Sequence, residues 1–295
     1  MRAHFSIIAL TCGAVTAATS CPLYPFLARN GSLPSLPPSA FTAAIASVNV
    51  TLHALLNANT LPGFSASVWY NGAEVQSWGG GVADKVTGRA PDPMVDVFRV
   101  ASNTKLFTSM LAEVFAELGY IRSLDDPVEL YAPSFVGPVD NAGDGAKISF
   151  RHLMSHTAGL PDSLPGNSDW SNVTTDAVFS AIARLPTIAP IGVMPLYSNL
   201  GISVLGHILA EFVAPASVRG DIGPLIKTYI LEPLSLDADT GYAITPDVAA
   251  RLCPAYDSSG ARVPVEDLGW TAPCGTMWST PRNLARFHQA SGWAS

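Results

Sequence analysis

The strongest constraint on the fold is an amphipathic stripe that begins just after a serine. Leu106, Phe107, Met110, Leu111, Val114, Phe115 and Leu118 recur at three-and-four spacing, the period of a helix with one buried face. A short run, Phe98-Arg99-Val100-Ala101, leads into Ser102-Asn103-Thr104-Lys105, so Ser102 falls at or near the helix N-terminus. Unpaired backbone N–H groups gather at such an end, and the helix dipole is positive there. Lys105 lies on the same side of the first turn, within reach of the Ser102 hydroxyl. An amine beside a hydroxyl can take its proton and make it a nucleophile. Taken alone, the same residues also describe a capping serine followed by a surface lysine.

Composition narrows the remaining classes. With 295 residues, 48% hydrophobic and 13% charged, the chain can bury one large core or two interleaved ones. The formal net charge is −7 and the basic residues are scattered, which argues against a nucleic-acid footprint or a polybasic membrane patch. Residues 1–20 read as a secretory leader, with Arg2, an apolar stretch over 5–18 and small residues before a cleavage point. The stretch is too short to span a membrane, and no later run reaches that length. The expected location is therefore secreted, and sequons at Asn30, Asn49 and Asn172 agree with a glycoprotein. Cys12 leaves with the leader. In an oxidising compartment Cys253 and Cys274 are the expected disulfide, with Cys21 odd. No zinc-ligand spacing is present, and no metal or cofactor is expected.

Along the chain, residues 21–38 form a Pro-rich arm and residues 39–57 a helix capped by Ser39. Strand-like runs at 64–70 and 73–78 flank Asn71-Gly72, the strongest short hairpin signal, and Gly79-Gly80-Gly81 is expected to end the second strand. Residues 148–162 read as a capped helix stopped by Gly159, with His152 and His156 spaced as neighbours on one face. No Glu follows His152 in the manner of a zinc protease, so these histidines read as structural. Tyr197-Ser198-Asn199 precedes a strongly apolar helix. Pro281 opens the last helix at its first position. No Gly-x-Ser-x-Gly elbow occurs, which argues against an α/β-hydrolase.

Ser102-x-x-Lys105, residues 124–128 (Leu-Asp-Asp-Pro-Val), residues 152–161 (His-Leu-Met-Ser-His-Thr-Ala-Gly-Leu-Pro) and Tyr197-Ser198-Asn199-Leu200-Gly201 occur in this order. Together they resemble the serine β-lactamase/penicillin-binding-protein superfamily, in its class C-like branch of serine esterases and LACTB-like proteins. The resemblance covers roughly residues 40–290. It implies an α+β fold of the β-lactamase/transpeptidase type, an antiparallel sheet flanked by helices plus a helix-rich region. It also implies a serine hydrolase or acyltransferase, secreted by virtue of the leader, acting on a small-molecule ester, amide or lactam. Ser102 would be the acylated nucleophile and Lys105 would accept or relay its proton. Tyr197 would share the acid and base work, and Asn199 would orient Lys105 or hold the substrate amide. The Ser102 backbone N–H would supply half of an oxyanion hole.

The family's third motif, a Lys-Thr-Gly or similar triplet near the C-terminus, has no match after Asn199. The expected organisation is therefore a leader at 1–20, an arm at 21–38 and a domain at 39–295 incomplete at its C-terminal end, with the last strands missing and the hairpin edge unpaired. That departure keeps open an alternative, a catalytically inactive β-lactamase-like protein or fragment that binds a ligand or partner.

Overall fold

The computed structural model of the chain describes residues 7–11, 39–70, 73–143, 145–166 and 170–290. Its first sheet contains β1 (Ile7–Thr11), and the helix α1 (Ser39–Asn57) leads into a hairpin of β2 (Gly63–Tyr70) and β3 (Ala73–Gly81). The hairpin register sets Tyr70 opposite Ala73 and Gly63 opposite Gly81, so the three glycines extend β3 rather than end it. They permit a close approach. A Cβ on Gly80 would meet the Phe64 ring at 2.7 Å and Leu56 of α1 at 3.0 Å. Leu52, Phe64 and Ala66 form the buried seam between α1 and the hairpin. β1 lies within the stretch read as a leader and pairs parallel with β2, Ile7 opposite Ser65 and Thr11 opposite Trp69. In the full chain β1 occupies the β2 edge expected to be unpaired, and removal of a leader over 1–20 would open that edge again. Arm residues 21–38 and the hairpin turn Asn71-Gly72 lie outside the described residues.

The middle of the chain is helical. β4 (Phe98–Arg99) enters a 3₁₀ turn, Ala101–Asn103, and then α2 (Thr104–Glu117). There follow α3 (Phe150–Met154), α4 (Thr175–Ile182) and α5 (Asn199–His207), which continues as a π-helical turn, Ile208–Val213. α6 (Ile222–Ile226) ends in a second such turn, Lys227–Leu231. Of the stripe, Phe107, Leu111 and Phe115 are sealed from solvent and Leu106, Met110 and Val114 are half-buried, whereas Leu118, just past the end of α2, is exposed. α5 is apolar nearly all round and sits at the centre of the same core, where Ile202, Val204 and Leu205 are fully buried.

Two-residue strands tie the ends of the chain together. β5 (Thr240–Gly241), α7 (Pro246–Arg251), β6 (Ala255–Tyr256) and β7 (Arg262–Val263) precede a 3₁₀ segment, Gly269–Cys274. β8 (Trp278–Ser279) then runs between β4 and β5, Ser279 facing both Phe98 and Thr240. α8 (Pro281–Ala290) closes the described chain, and its Phe287 stacks on Phe107 of α2 at 3.9 Å. Apart from β1–β2, the strand pairs β2–β3, β4–β8, β5–β8 and β6–β7 are antiparallel, giving the α+β layout of antiparallel sheets flanked by helices.

Two expectations need correction. The helix over 148–162 stops at Met154, because His156 adopts a left-handed φ of 60° and ends the helical path. His152 and His156 therefore do not share a helix face. The disulfide is absent as well. Cys253 and Cys274 are free thiols buried in different clusters, one beside Ala83 and Phe98, the other in the main core. Burial pushes the Cys253 thiol up to about 12, which makes it inert rather than reactive. Among the described residues, no helix is long and apolar enough to cross a membrane.

Candidate active site

α2 presents three polar side chains on one buried flank, Thr104, Lys105 and Thr108. Each reaches the stretch that runs from the end of the 3₁₀ turn at 269–274 to β8. The Thr108 hydroxyl donates to the Pro273 carbonyl at 2.7 Å, and the Met277 N–H donates to the Thr104 hydroxyl at 3.1 Å. Lys105 donates to the Cys274 carbonyl at 2.8 Å. A buried lysine without such partners would be costly, and here only 6% of the residue is exposed.

The second donor of Lys105 goes to Ser102 Oγ at 3.0 Å. From the other side the Tyr197 hydroxyl stands 2.6 Å from the same oxygen. Lys105 Nζ also lies 4.9 Å from the centre of the Tyr197 ring, a cation–π distance. Ser102 itself is exposed, at the N-terminal approach to α2. Ala101, just before it, carries a φ of 47°, a left-handed conformation that costs a residue with a Cβ on the order of 1–3 kcal/mol. This kink places the serine side chain at the mouth of the site while Val100 stays in the sheet region, its N–H bound to the Met277 carbonyl at 2.9 Å.

Tyr197 is 52% exposed, so its position depends on the chain that carries it. That chain is clamped by the segment 156–162. The Leu196 N–H donates to the His156 carbonyl at 2.8 Å, and the Ser198 N–H donates to His156 Nδ1 at 3.1 Å. The His156 ring lies against the Tyr197 ring, centroids 4.7 Å apart. Ser198 donates to the Pro161 carbonyl at 2.6 Å and caps α5 by accepting the Gly201 N–H at 2.8 Å. Asn199 gives both its N–H and its Nδ2 to Asp162 Oδ1, at 3.1 and 2.9 Å. Since Nδ1 of His156 accepts, its proton sits on Nε2. Burial, with the Lys105 charge adding to it, holds the His156 pKa below the ordinary range, consistent with that neutral tautomer.

Three of the four expected residues, Ser102, Lys105 and Tyr197, thus meet at one oxygen. Asn199, two residues after Tyr197, is tied to Asp162, and the acceptor that orients Lys105 is the Cys274 carbonyl. His152 belongs to the capping box of α3, exchanging hydrogen bonds with Ser149, and takes no part in the site. Sequence reasoning missed Ala101, His156, Asp162 and the Cys274 carbonyl. For Asp162 and His156 a signal existed in the 152–161 motif and its next residue. For a carbonyl there is none.

The family model described as Beta-lactamase matches residues 48–294. The chain belongs to the beta-lactamase family. Among curated relatives of this beta-lactamase-family chain, the "Putative beta-lactamase-like 1" of Homo sapiens is 33% identical over 252 residues, covering 82% of this chain and 48% of the human protein. The chain spans about half the length of the curated relatives it matches. Of solved structures, the Beta-Lactamase/D-Alanine Carboxypeptidase from Pseudomonas syringae superposes with a TM-score of 0.71 at 24% identity, over 84% of this chain and 65% of that one. EstCE1, described as a hydrolase with promiscuous acyltransferase activity, gives 0.71 at 20% identity, over 86% of this chain and 73% of its own. These likenesses establish the beta-lactamase/transpeptidase fold for this chain.

Proposed function

We propose that the chain is a secreted serine hydrolase or acyltransferase that works through a Ser102 acyl-enzyme on a small ester, amide or lactam. The observation that carries the reading is the shared oxygen, with Lys105 Nζ and the Tyr197 hydroxyl both in hydrogen-bond contact with Ser102 Oγ. In the first step Lys105, acting as the free amine, takes the Ser102 proton directly or through the Tyr197 hydroxyl, while Oγ bonds to the substrate carbonyl carbon and the C=O electron pair moves onto the carbonyl oxygen. Collapse of the tetrahedral adduct breaks the bond to the leaving oxygen or nitrogen, which takes a proton from Tyr197 as Tyr197 regains one from Lys105. Water then attacks the acyl-serine with the same groups as base, or another hydroxyl or amine does so and the acyl group is transferred. The relatives bear beta-lactamase names, and EstCE1 is described as combining hydrolysis with acyl transfer in one protein. Both support a site of this kind here.

Secretion rests on the 1–20 leader and the sequons. Asn172 lies exposed in the turn before α4, where a glycan fits, whereas Asn49 is half-buried in α1. Reaction with a fluorophosphonate or a labelled penicillin, read by intact mass, tests the chemistry. The adduct should map to Ser102 and vanish in Ser102→Ala, and folded wild-type protein without an adduct refutes the acyl-enzyme. N-terminal sequencing of protein recovered from the medium tests export.

A further inference from the structure

Asp162 belongs to neither the Ser102 cluster nor the core, yet it makes three hydrogen bonds with the start of α5. Its Oδ1 accepts the Asn199 N–H at 3.1 Å and Asn199 Nδ2 at 2.9 Å, and its backbone carbonyl accepts the Leu200 N–H at 2.9 Å. A carboxylate only accepts, so the end of the Asn199 side chain facing Asp162 is the NH₂ group. That assignment removes the usual ambiguity of an amide and turns Asn199 Oδ1 away from Asp162. A negative group is also well placed at the N-terminal turn of a helix. The charge of Asp162 reaches further, favouring the protonated form of His156 against the opposing effects of burial and Lys105.

Lys105 does not need Asn199. Its bonds run to Ser102 Oγ and the Cys274 carbonyl, which frees the Asn199 amide for another partner. We propose that Asp162 is a positioning residue for acyl transfer, locking the Asn199 amide so that its oxygen and its second N–H are offered to the substrate's own polar group. This rests on the Ser102 acyl-enzyme reading. Without Asp162 the amide can flip, and a substrate that hydrogen-bonds Asn199 loses its fixed partner, whereas one without such a group is little affected.

The test compares wild type, Asp162→Ala, Asp162→Asn and Asn199→Ala in the full chain. The substrates are nitrocefin, which carries an amide beside its lactam, and p-nitrophenyl acetate, which does not. Asp162→Ala should lower kcat/KM for nitrocefin by about 10- to 100-fold, the loss expected from one or two misplaced hydrogen bonds, and for the acetate, which feels only the slackened Tyr197 segment, by at least about fivefold less. Asp162→Asn can still accept with its own Oδ1 and should restore most of the loss. In Asn199→Ala, adding Asp162→Ala should cost nitrocefin no more than it costs the acetate. The Asn199 side-chain ¹⁵NH₂ signal, assigned by its absence in Asn199→Ala, should move in Asp162→Ala. Equal losses on both substrates, additive effects in the double variant, or an unmoved Asn199 signal beside a labelled wild type would each overturn the role of Asp162. A wild-type chain inert to the Ser102 probe overturns the acyl-enzyme reading itself, a different failure, and removes Asp162 from acyl transfer with it.

Discussion

Ser102 Oγ and the Tyr197 hydroxyl stand 2.6 Å apart although they lie 95 positions apart in the chain. Replacing Tyr197 by Phe removes that contact and little else, since the ring is half in solvent. The expected result is a fall in acylation rate of about 10²- to 10⁴-fold, the usual worth of a positioned acid–base group, at unchanged Tm. Time-resolved intact mass with a labelled penicillin measures it. A rate within threefold of wild type would remove Tyr197 from the chemistry.

Gly206 of α5 should prove unexpectedly intolerant. A Cβ there would lie 2.4 Å from Pro273 Cβ and 3.0 Å from the Ile222 side chain. Gly206→Ala should cost about 1–3 kcal/mol, as overpacking does, and should push away the segment whose next residue anchors Lys105. Thermal melts and acylation rates should therefore fall together. A stable variant with normal rates would show that this packing does not set the Lys105 geometry.

Acid should loosen the Tyr197 clamp through His156. The folded-state pKa is lowered, so below about 6.5 the unfolded chain binds this proton more readily than the folded one. The contribution to stability is complete above that pH and is lost as pH falls through the folded value. His156→Asn removes the titration and tolerates the left-handed backbone, so its Tm should decline less than that of wild type between pH 7.5 and 5. Parallel curves would contradict the assignment.

The kink at Ala101 predicts a split between stability and rate. Ala101→Val places a β-branched residue at a φ of 47° and should cost about 1–3 kcal/mol in denaturant unfolding. Ala101→Gly relieves the backbone and should leave stability within about 1 kcal/mol, since glycine's added entropy offsets the relief. Its acylation rate should nevertheless drop, because Ser102 is then less firmly placed. Equal stability of all three chains would mean that the kink stores no strain.

Much of this was legible from residue spacing. The seven-residue stripe located α2, and the three-residue step from Ser102 to Lys105 gave a real hydrogen bond. Asn71-Gly72 separated two strands that do pair in antiparallel fashion. The misses share a physical cause, which is that tertiary geometry can override local pattern. His156 sits in a helical-looking run, yet its left-handed φ ends the helix so that the ring can meet Tyr197. Trp278 and Ser279 form a central strand only two residues long, below the reach of any periodicity. Cys253 and Cys274 looked like a pair by elimination, and the fold buries them in separate clusters.

The anchor of Lys105 is a backbone carbonyl. Mutation can change the buried side chain at position 274 only within the room the core allows, yet no such change deletes that oxygen, so the anchor is exempt from ordinary point-by-point loss. Drift at Cys274 therefore says nothing about whether a related chain has kept a working lysine. What natural selection can act on is the path of the main chain there, set from a distance by Pro273, Gly206 and Thr108. A laboratory redesign that wished to retune Lys105 would have to edit those supports, because the contact itself offers no side chain to replace.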